Sequence, residues 1–157
     1  MRLDRFTVKA QEALQAADRS ARQFNHQELT PEHLLYALAE QSDGPVPALL
    51  GRVGVDGASL RRDLGAALAA KPRVSGPGAS DRLLGPALRA VLEAAEAEAD
   101  RLRDEYVSTE HLLLALADPQ AAGETARLLT QAGLTRDALL AALKDVRGSA
   151  RASDPHA

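Results

Sequence analysis

Thr30-Pro31-Glu32-His33-Leu34-Leu35-Tyr36-Ala37-Leu38 returns 78 residues later as Ser108-Thr109-Glu110-His111-Leu112-Leu113-Leu114-Ala115-Leu116, and six of the nine positions are identical. Each copy opens on a hydroxyl residue suited to cap a helix, because its side-chain oxygen can accept one of the unpaired first-turn amides. In the first copy Pro31 follows at a position where a missing amide costs nothing. The same shift of 78 places Phe6 on Leu84, Ala10 on Leu88, Leu14 on Leu92 and Ala17 on Ala95. Further on the shift becomes 79, with Leu49-Leu50 on Leu128-Leu129, Gly54 on Gly133, and Leu60 and Leu64 on Leu139 and Leu143. Two unrelated Ala/Leu-rich helices would not keep a cap, a Glu-His pair and a glycine in phase, so the chain is an internal duplication.

The apolar spacing is helical on both sides of the repeated stretch. Phe6, Ala10, Ala13, Leu14, Ala17, Ala21 and Phe24 follow steps of mostly three and four, with Thr7 placed to cap. A third helix is expected from about Val46 to Val53, stopped by Gly54, and a fourth, entered at Asp56 or Ser59, carries Leu60, Leu64 and Leu68. The second half repeats the plan. A long helix is expected through Leu84, Leu88, Val91, Leu92, Ala95, Ala99, Leu102 and Tyr106, Ser108 caps the next, Gly123-Glu124 opens another and Thr135 caps the last. The expected fold is all-α, about eight helices as two tandem four-helix repeats about an approximate twofold axis. Residues 1–70 form the first repeat and 81–146 the second. Residues 71–80, with two prolines and two glycines, form the linker, and residues 147–157, lacking an apolar face, a disordered tail. Each repeat of roughly 70 residues sits near the lower limit for a self-sufficient core, so packing of like faces is expected, with a groove along the seam where a peptide or small ligand could lodge.

Composition narrows the classes. There are no cysteines and only 3% aromatics, so disulfides and thiolate metal sites are excluded and helices are favoured over sheets. A net charge of −3 argues against a nucleic-acid partner, and the 30–38 and 108–116 helices offer almost no Arg, Lys, Asn or Gln to reach base edges. No apolar run approaches the ~20 residues of a membrane span, and the opening Met-Arg-Leu-Asp-Arg-Phe carries charge where a signal peptide needs apolar residues, so the expected location is cytoplasmic.

The repeated Glu-His-Leu-Leu-x-Ala-Leu after a Ser/Thr cap, with Leu-Leu-x-x-x-Gly downstream, resembles the Clp N-terminal repeat of the Hsp100/Clp family. The opening Met1-Arg2-Leu3-Asp4-Arg5-Phe6-Thr7, the segment 104–116 and Lys71-Pro72-Arg73-Val74-Ser75-Gly76 resemble the disaggregase branch of that family over residues 1 to about 148. The resemblance implies a substrate-engaging domain that holds exposed hydrophobic segments of unfolded or aggregated polypeptides and is tethered to AAA+ modules. It implies that ATP and Mg belong to those modules, that a DnaK-type chaperone system engages other parts of the parent protein, and that the parent is a homohexamer while this portion is monomeric. No Gly-x-x-x-x-Gly-Lys-[Ser/Thr] occurs in this chain, so no cofactor and no catalytic residue are expected in it. The alternative is a domain of the protease-partnered branch, docking adaptors or degron-bearing substrates.

Individual residues divide between structure and function. Glu32-His33 and Glu110-His111 offer one histidine per helix where a zinc helix needs two, so a metal site is not expected. Thr7 can serve as a cap, Asp104 in the turn before the 108–116 helix and Glu110 in its first turn. In the family the matching positions lie at the mouth of the inter-repeat groove, and the resemblance makes all three candidate substrate-binding residues. Val91, Ala94 and Ala95 of the long helix are the candidates for an apolar groove floor. Glu93, Glu96, Glu98 and Asp100, softened by Arg101 and Arg103, read as a solvated helix face.

Overall fold

The computed structural model describes residues 3–73, 83–147, 152, 153, 155 and 156. A 3₁₀ turn at Leu3–Arg5 leads into α1 (Val8–Gln23), β1 (Glu28–Leu29), α2 (Pro31–Glu40), α3 (Pro45–Val53) and α4 (Gly57–Ala69). The second half runs β2 (Leu83–Leu84), α5 (Pro86–Arg101), α6 (Thr109–Leu116), α7 (Pro119–Ala122), α8 (Glu124–Gln131) and α9 (Arg136–Arg147). The described residues thus hold nine α-helices where the sequence led us to expect about eight. The extra one is α7, a single turn that Asp118 caps by accepting the Gln120 amide at 3.0 Å, with Pro119 at its first position. The expected linker from residue 74 onward, and residues 148–151, 154 and 157 of the expected tail, lie outside the described residues.

The duplication is written into the backbone. Asn25 and Arg103, which are 78 positions apart, are the only non-glycine residues with positive φ among those described, at 58° and 60°. Gly54 and Gly133 end α3 and α8 at φ 88° and 90°, and the following amides of Val55 and Leu134 both reach back 2.8 Å to Leu50 and Leu129. Such a turn needs a residue that tolerates the left-handed region, which is why glycine stands in both copies.

The halves are joined by exchanging their leading segments, a feature no sequence period announced. The residues before α1 pair with the turn before α6, through a parallel bridge between Phe6 and Val107 and a 2.9 Å bond from the Thr7 amide to the Val107 carbonyl. The residues before α5 do the same to the first half: β2 runs parallel to β1, and the Gly85 amide donates to the Leu29 carbonyl at 3.1 Å. These partners are related by the same shift of 78, so the two contacts are one contact seen from either side of a pseudo-twofold axis. Gly85 stands where the first copy has Thr7, and a Cβ there would come within 2.7–2.8 Å of the exposed Glu28 side chain, which would have to swing aside.

Between these ribbons lies one core. Every residue of α6 is buried, including Thr109, Glu110 and His111, as befits a helix enclosed on all sides. The alanine stripe Ala10, Ala13, Ala17 and Ala21 lets α1 approach α2 closely, and α5 packs on α6 in the same manner. Apolar residues from α2, α3, α4, α5, α6, α8 and α9 belong to a single cluster, and α3 of the first half meets α9 of the second, with Arg52 paired to Asp145 at their edge.

Glu98 departs from the solvated acidic face expected of it. It is 3% exposed and receives Arg136 of α9 through two 2.7 Å bonds, with Arg101 as a further partner. Burial alone would raise its pKa, but the two guanidinium groups outweigh this and hold it below the ordinary glutamate value. The residue is a clamp fastening α9 to α5, built by a partner 38 positions away in sequence. Glu93 and Asp100 remain exposed as expected.

Candidate functional site

The two Glu-His helices build matched buried hydrogen-bond wires. In α6 the Ser108 amide donates to His111 Nδ1 at 2.8 Å. A backbone N–H can only donate to a bare ring nitrogen, so the neutral imidazole carries its proton on Nε2. That nitrogen lies 2.7 Å from Asp104 Oδ2 and donates to it. In α2 the Thr30 amide occupies His33 Nδ1 at 3.0 Å, and His33 Nε2 then donates to His26 Nδ1 at 2.8 Å. His26 and Asp104 are themselves 78 apart: the duplication kept the wire and changed the acceptor at its end. Both histidines therefore use their ring nitrogens to close helix starts, and no group of three or more potential metal ligands occurs among the described residues.

The change of acceptor makes the second wire charged. Asp104 is buried, and its Oδ1 accepts Arg147 at 2.6 Å and the Ala152 amide at 2.8 Å. Burial pushes its pKa upward, yet the bonds from Arg147, Ala152 and His111 prevail and the carboxyl is held below the ordinary aspartate value. Burial lowers the pKa of His111 despite the carboxylates beside it, keeping it neutral at pH 7. Glu110 accepts from the Ser108 hydroxyl, and its other oxygen lies 3.8 Å from Arg147. Arg147 thus answers two buried carboxylates at once.

Of the candidate residues, Thr7, Asp104 and Glu110 are linked through the 104–110 segment, and Val91 and Ala95 belong to the common core. Thr7 is fully buried, capping α1 through a 3.2 Å bond from the Ala10 amide and joined to the 104–110 segment through Val107. Val91 and Ala95 have no exposed surface and sit in the common core, and Ala94 is half-buried against it.

One open, mainly apolar groove lies on α1. It has a volume of about 520 Å³, a floor of Leu3, Leu14 and Leu29, and a rim of Gln11, Gln15, Asp18 and Arg19. The Gln11 amide closes one end by donating to the carbonyls of Leu3 and Phe6 at 3.2 and 3.0 Å. Leu29 is presented by β1, which β2 of the other half holds in place, so the seam shapes the groove although no residue of the second half lines it. The duplicate of Leu14 is Leu92, which is buried, so the two halves differ here. Sequence reasoning put Leu14 in the core stripe. Leu14 does pack against the core, with part of its side chain left to line the groove.

No helix among the described residues is long and apolar enough to cross a membrane. The Clp repeat (R) N-terminal domain family matches residues 5–132. The chaperone protein ClpB of Nitratidesulfovibrio vulgaris is 40% identical over 153 residues, covering 96% of this chain and 18% of the relative. ClpB of Mycobacterium bovis is 40% identical over 149 residues, covering 95% of this chain and 17% of the relative. The chain therefore spans less than a fifth of the length of these curated relatives. Among solved structures, the Hsp104 N-terminal domain from Candida albicans superposes with a TM-score of 0.77 at 24% identity over 96% of each chain, a likeness of fold. The N-terminal domain of ClpV1 ATPase from the E. coli EAEC Sci1 T6SS gives 0.77 at 26% identity over 97% of this chain and 91% of that one. The chain belongs to the Clp repeat N-terminal domain family and is an N-terminal domain of the ClpB/Hsp100 chaperone type.

Proposed function

We propose that this Clp-repeat domain engages exposed apolar segments of unfolded or aggregated polypeptides, and that it does so in the groove along α1. The observation carrying the reading is the groove's composition: three leucines left open to solvent or half-buried beneath a polar rim. Peptide recognition has a parallel in a structure described as a peptide from the EAEC T6SS Sci1 SciI protein, whose chain superposes at a TM-score of 0.75 and 29% identity over 98% of this one. Thr7, Asp104 and Glu110 serve the site from below, by fixing the start of α1 and the segment that pairs with it.

Two or three client side chains buried on Leu3, Leu14 and Leu29 gain about 1.5–3 kcal/mol each. Ordering a flexible client takes back much of this, so the affinity is of the order of tens of micromolar. Weak holding suits a domain that passes its client to AAA+ modules of a longer protein, and in a hexamer several copies would act together by avidity. Relatives named ClpB favour the disaggregase reading over a protease-partnered one.

Titrating the chain with unfolded casein and following backbone amide shifts tests this. Shifts should concentrate at Gln11, Leu14, Gln15, Asp18 and Leu29, and Leu14→Asp should weaken binding at least tenfold. Shifts scattered over the surface, or an unaltered affinity in Leu14→Asp, would refute it.

A further inference from the structure

The end of the chain returns to the start of α1. The Ala152 amide donates to Asp104 Oδ1 at 2.8 Å, the Ala152 carbonyl accepts the Tyr106 amide at 2.9 Å, and the Pro155 carbonyl accepts the Val8 amide at 2.8 Å. A disordered tail was expected here because residues 147–157 carry no apolar face; instead Arg147 is held by its side chain and Ala152 and Pro155 by their backbone. Ala152 is 3% exposed while Ser153 and His156 are exposed. The slot has three fixed parts: a buried carboxylate, the free amide of a loop, and a first-turn amide that α1 cannot satisfy within itself.

We infer that this slot is a capture site for an extended polypeptide with a small anchoring residue, and that Ala152 and Pro155 are its displaceable cis occupants. All three bonds go to backbone atoms, so the site reads an extended chain rather than particular side chains. The one side-chain requirement is at the anchor, where burial beside Asp104 leaves room for Ala, Gly or Ser. The occupant is easily lost, because its single buried side chain among the described residues is a methyl group. What holds it is proximity: residue 152 lies only five positions past the end of α9, which gives an effective concentration of the order of millimolar. A segment in trans with the same backbone pattern therefore competes poorly until the tail is displaced. The slot is separate from the α1 groove and stands or falls without it, since none of its three bonds involves a groove residue.

Ala152→Trp tests this in the full chain, as the indole cannot enter the anchor position and nothing of the core depends on it. Amide exchange at Val8 and Tyr106 should accelerate at least tenfold in this variant while α2 and α6 amides are unchanged. A labelled peptide of residues 147–157 should bind Ala152→Trp at least tenfold more tightly than the unaltered chain, and the same peptide with Trp at its anchor should not bind. Adding Val8→Pro removes one donor at a helix position where proline is accommodated, with Thr7 already extended at ψ 163°. That double variant should bind the peptide several-fold less tightly. Unaltered exchange at Val8 and Tyr106, equal peptide affinity for both chains, or binding insensitive to Trp at the anchor or to Val8→Pro would overturn the inference.

Discussion

Asp104→Asn keeps the shape of the buried hub and changes one acceptor into a donor. Asp104 meets three donors, from His111, Arg147 and Ala152. With asparagine, the amide nitrogen must face either His111 Nε2–H or the Arg147–Ala152 side. His111 cannot escape by moving its proton to Nδ1, because that nitrogen is held by the Ser108 amide. One buried donor is therefore stranded, at about 1–3 kcal/mol, and the charge-assisted bond from Arg147 is weakened, at about 1.5–3 kcal/mol. Arg147 keeps some contact with Glu110, so a loss of about 3 kcal/mol is expected at pH 7. In urea, with a slope of about 1–3 kcal/mol/M for a small protein, the midpoint should fall by roughly 1–3 M. The sign of the pH dependence follows from the depressed folded pKa of Asp104. Its contribution is complete above the unfolded value near ~3.9 and is lost as pH falls toward the lower folded value. The gap between the two proteins should accordingly narrow as pH is lowered from 7 to about 3. A midpoint unchanged at pH 7, or a gap that widens in acid, would refute the wiring.

The Glu98 clamp predicts an asymmetry: Arg136→Met leaves a buried carboxylate with only Arg101, whereas Glu98→Gln frees a guanidinium that is a third exposed and can turn to water. The first should cost about 2–3 kcal/mol and the second about 1 kcal/mol in urea unfolding, and the reverse order would contradict the burial argument. Gly54→Ala and Gly133→Ala should each cost about 1–2 kcal/mol, since an added Cβ meets nothing within 4 Å and only the left-handed backbone is penalised. Thermal melts showing one loss and one null effect would mean that the two turns are not equivalent.

The all-helical duplication was legible because its signals are local and periodic: caps, an apolar period near 3.6, and glycines in phase. The hydroxyl caps Thr7, Thr30 and Ser108 all stand at helix starts in the structure. The exchange of leading segments was not legible, because two-residue strands such as Glu28–Leu29 have no period to detect. Glu98 was misread because its partner lies on another helix, and helical spacing around Glu98 reports only neighbours on its own turn. Val91 and Ala95 were rightly seen to share a stripe, but a stripe does not distinguish a core from a groove floor. The groove depends on where β1 leaves Leu29 beside Leu14, a matter of packing between halves. Ala152 gave no signal because its anchoring uses backbone atoms that every residue possesses.

All of this depends on the two repeats forming one body across their seam, since the pairing of β1 with β2 sets the groove and that of Phe6 with Val107 sets the slot. Native-state hydrogen exchange under increasing urea measures this directly. Amides in the centres of α2 and α6 should open with one shared free energy and one shared urea dependence, equal to those of global unfolding. If α6 amides instead opened at markedly lower free energy, with about half the urea dependence of those in α2, the halves would be independent and the account would be wrong.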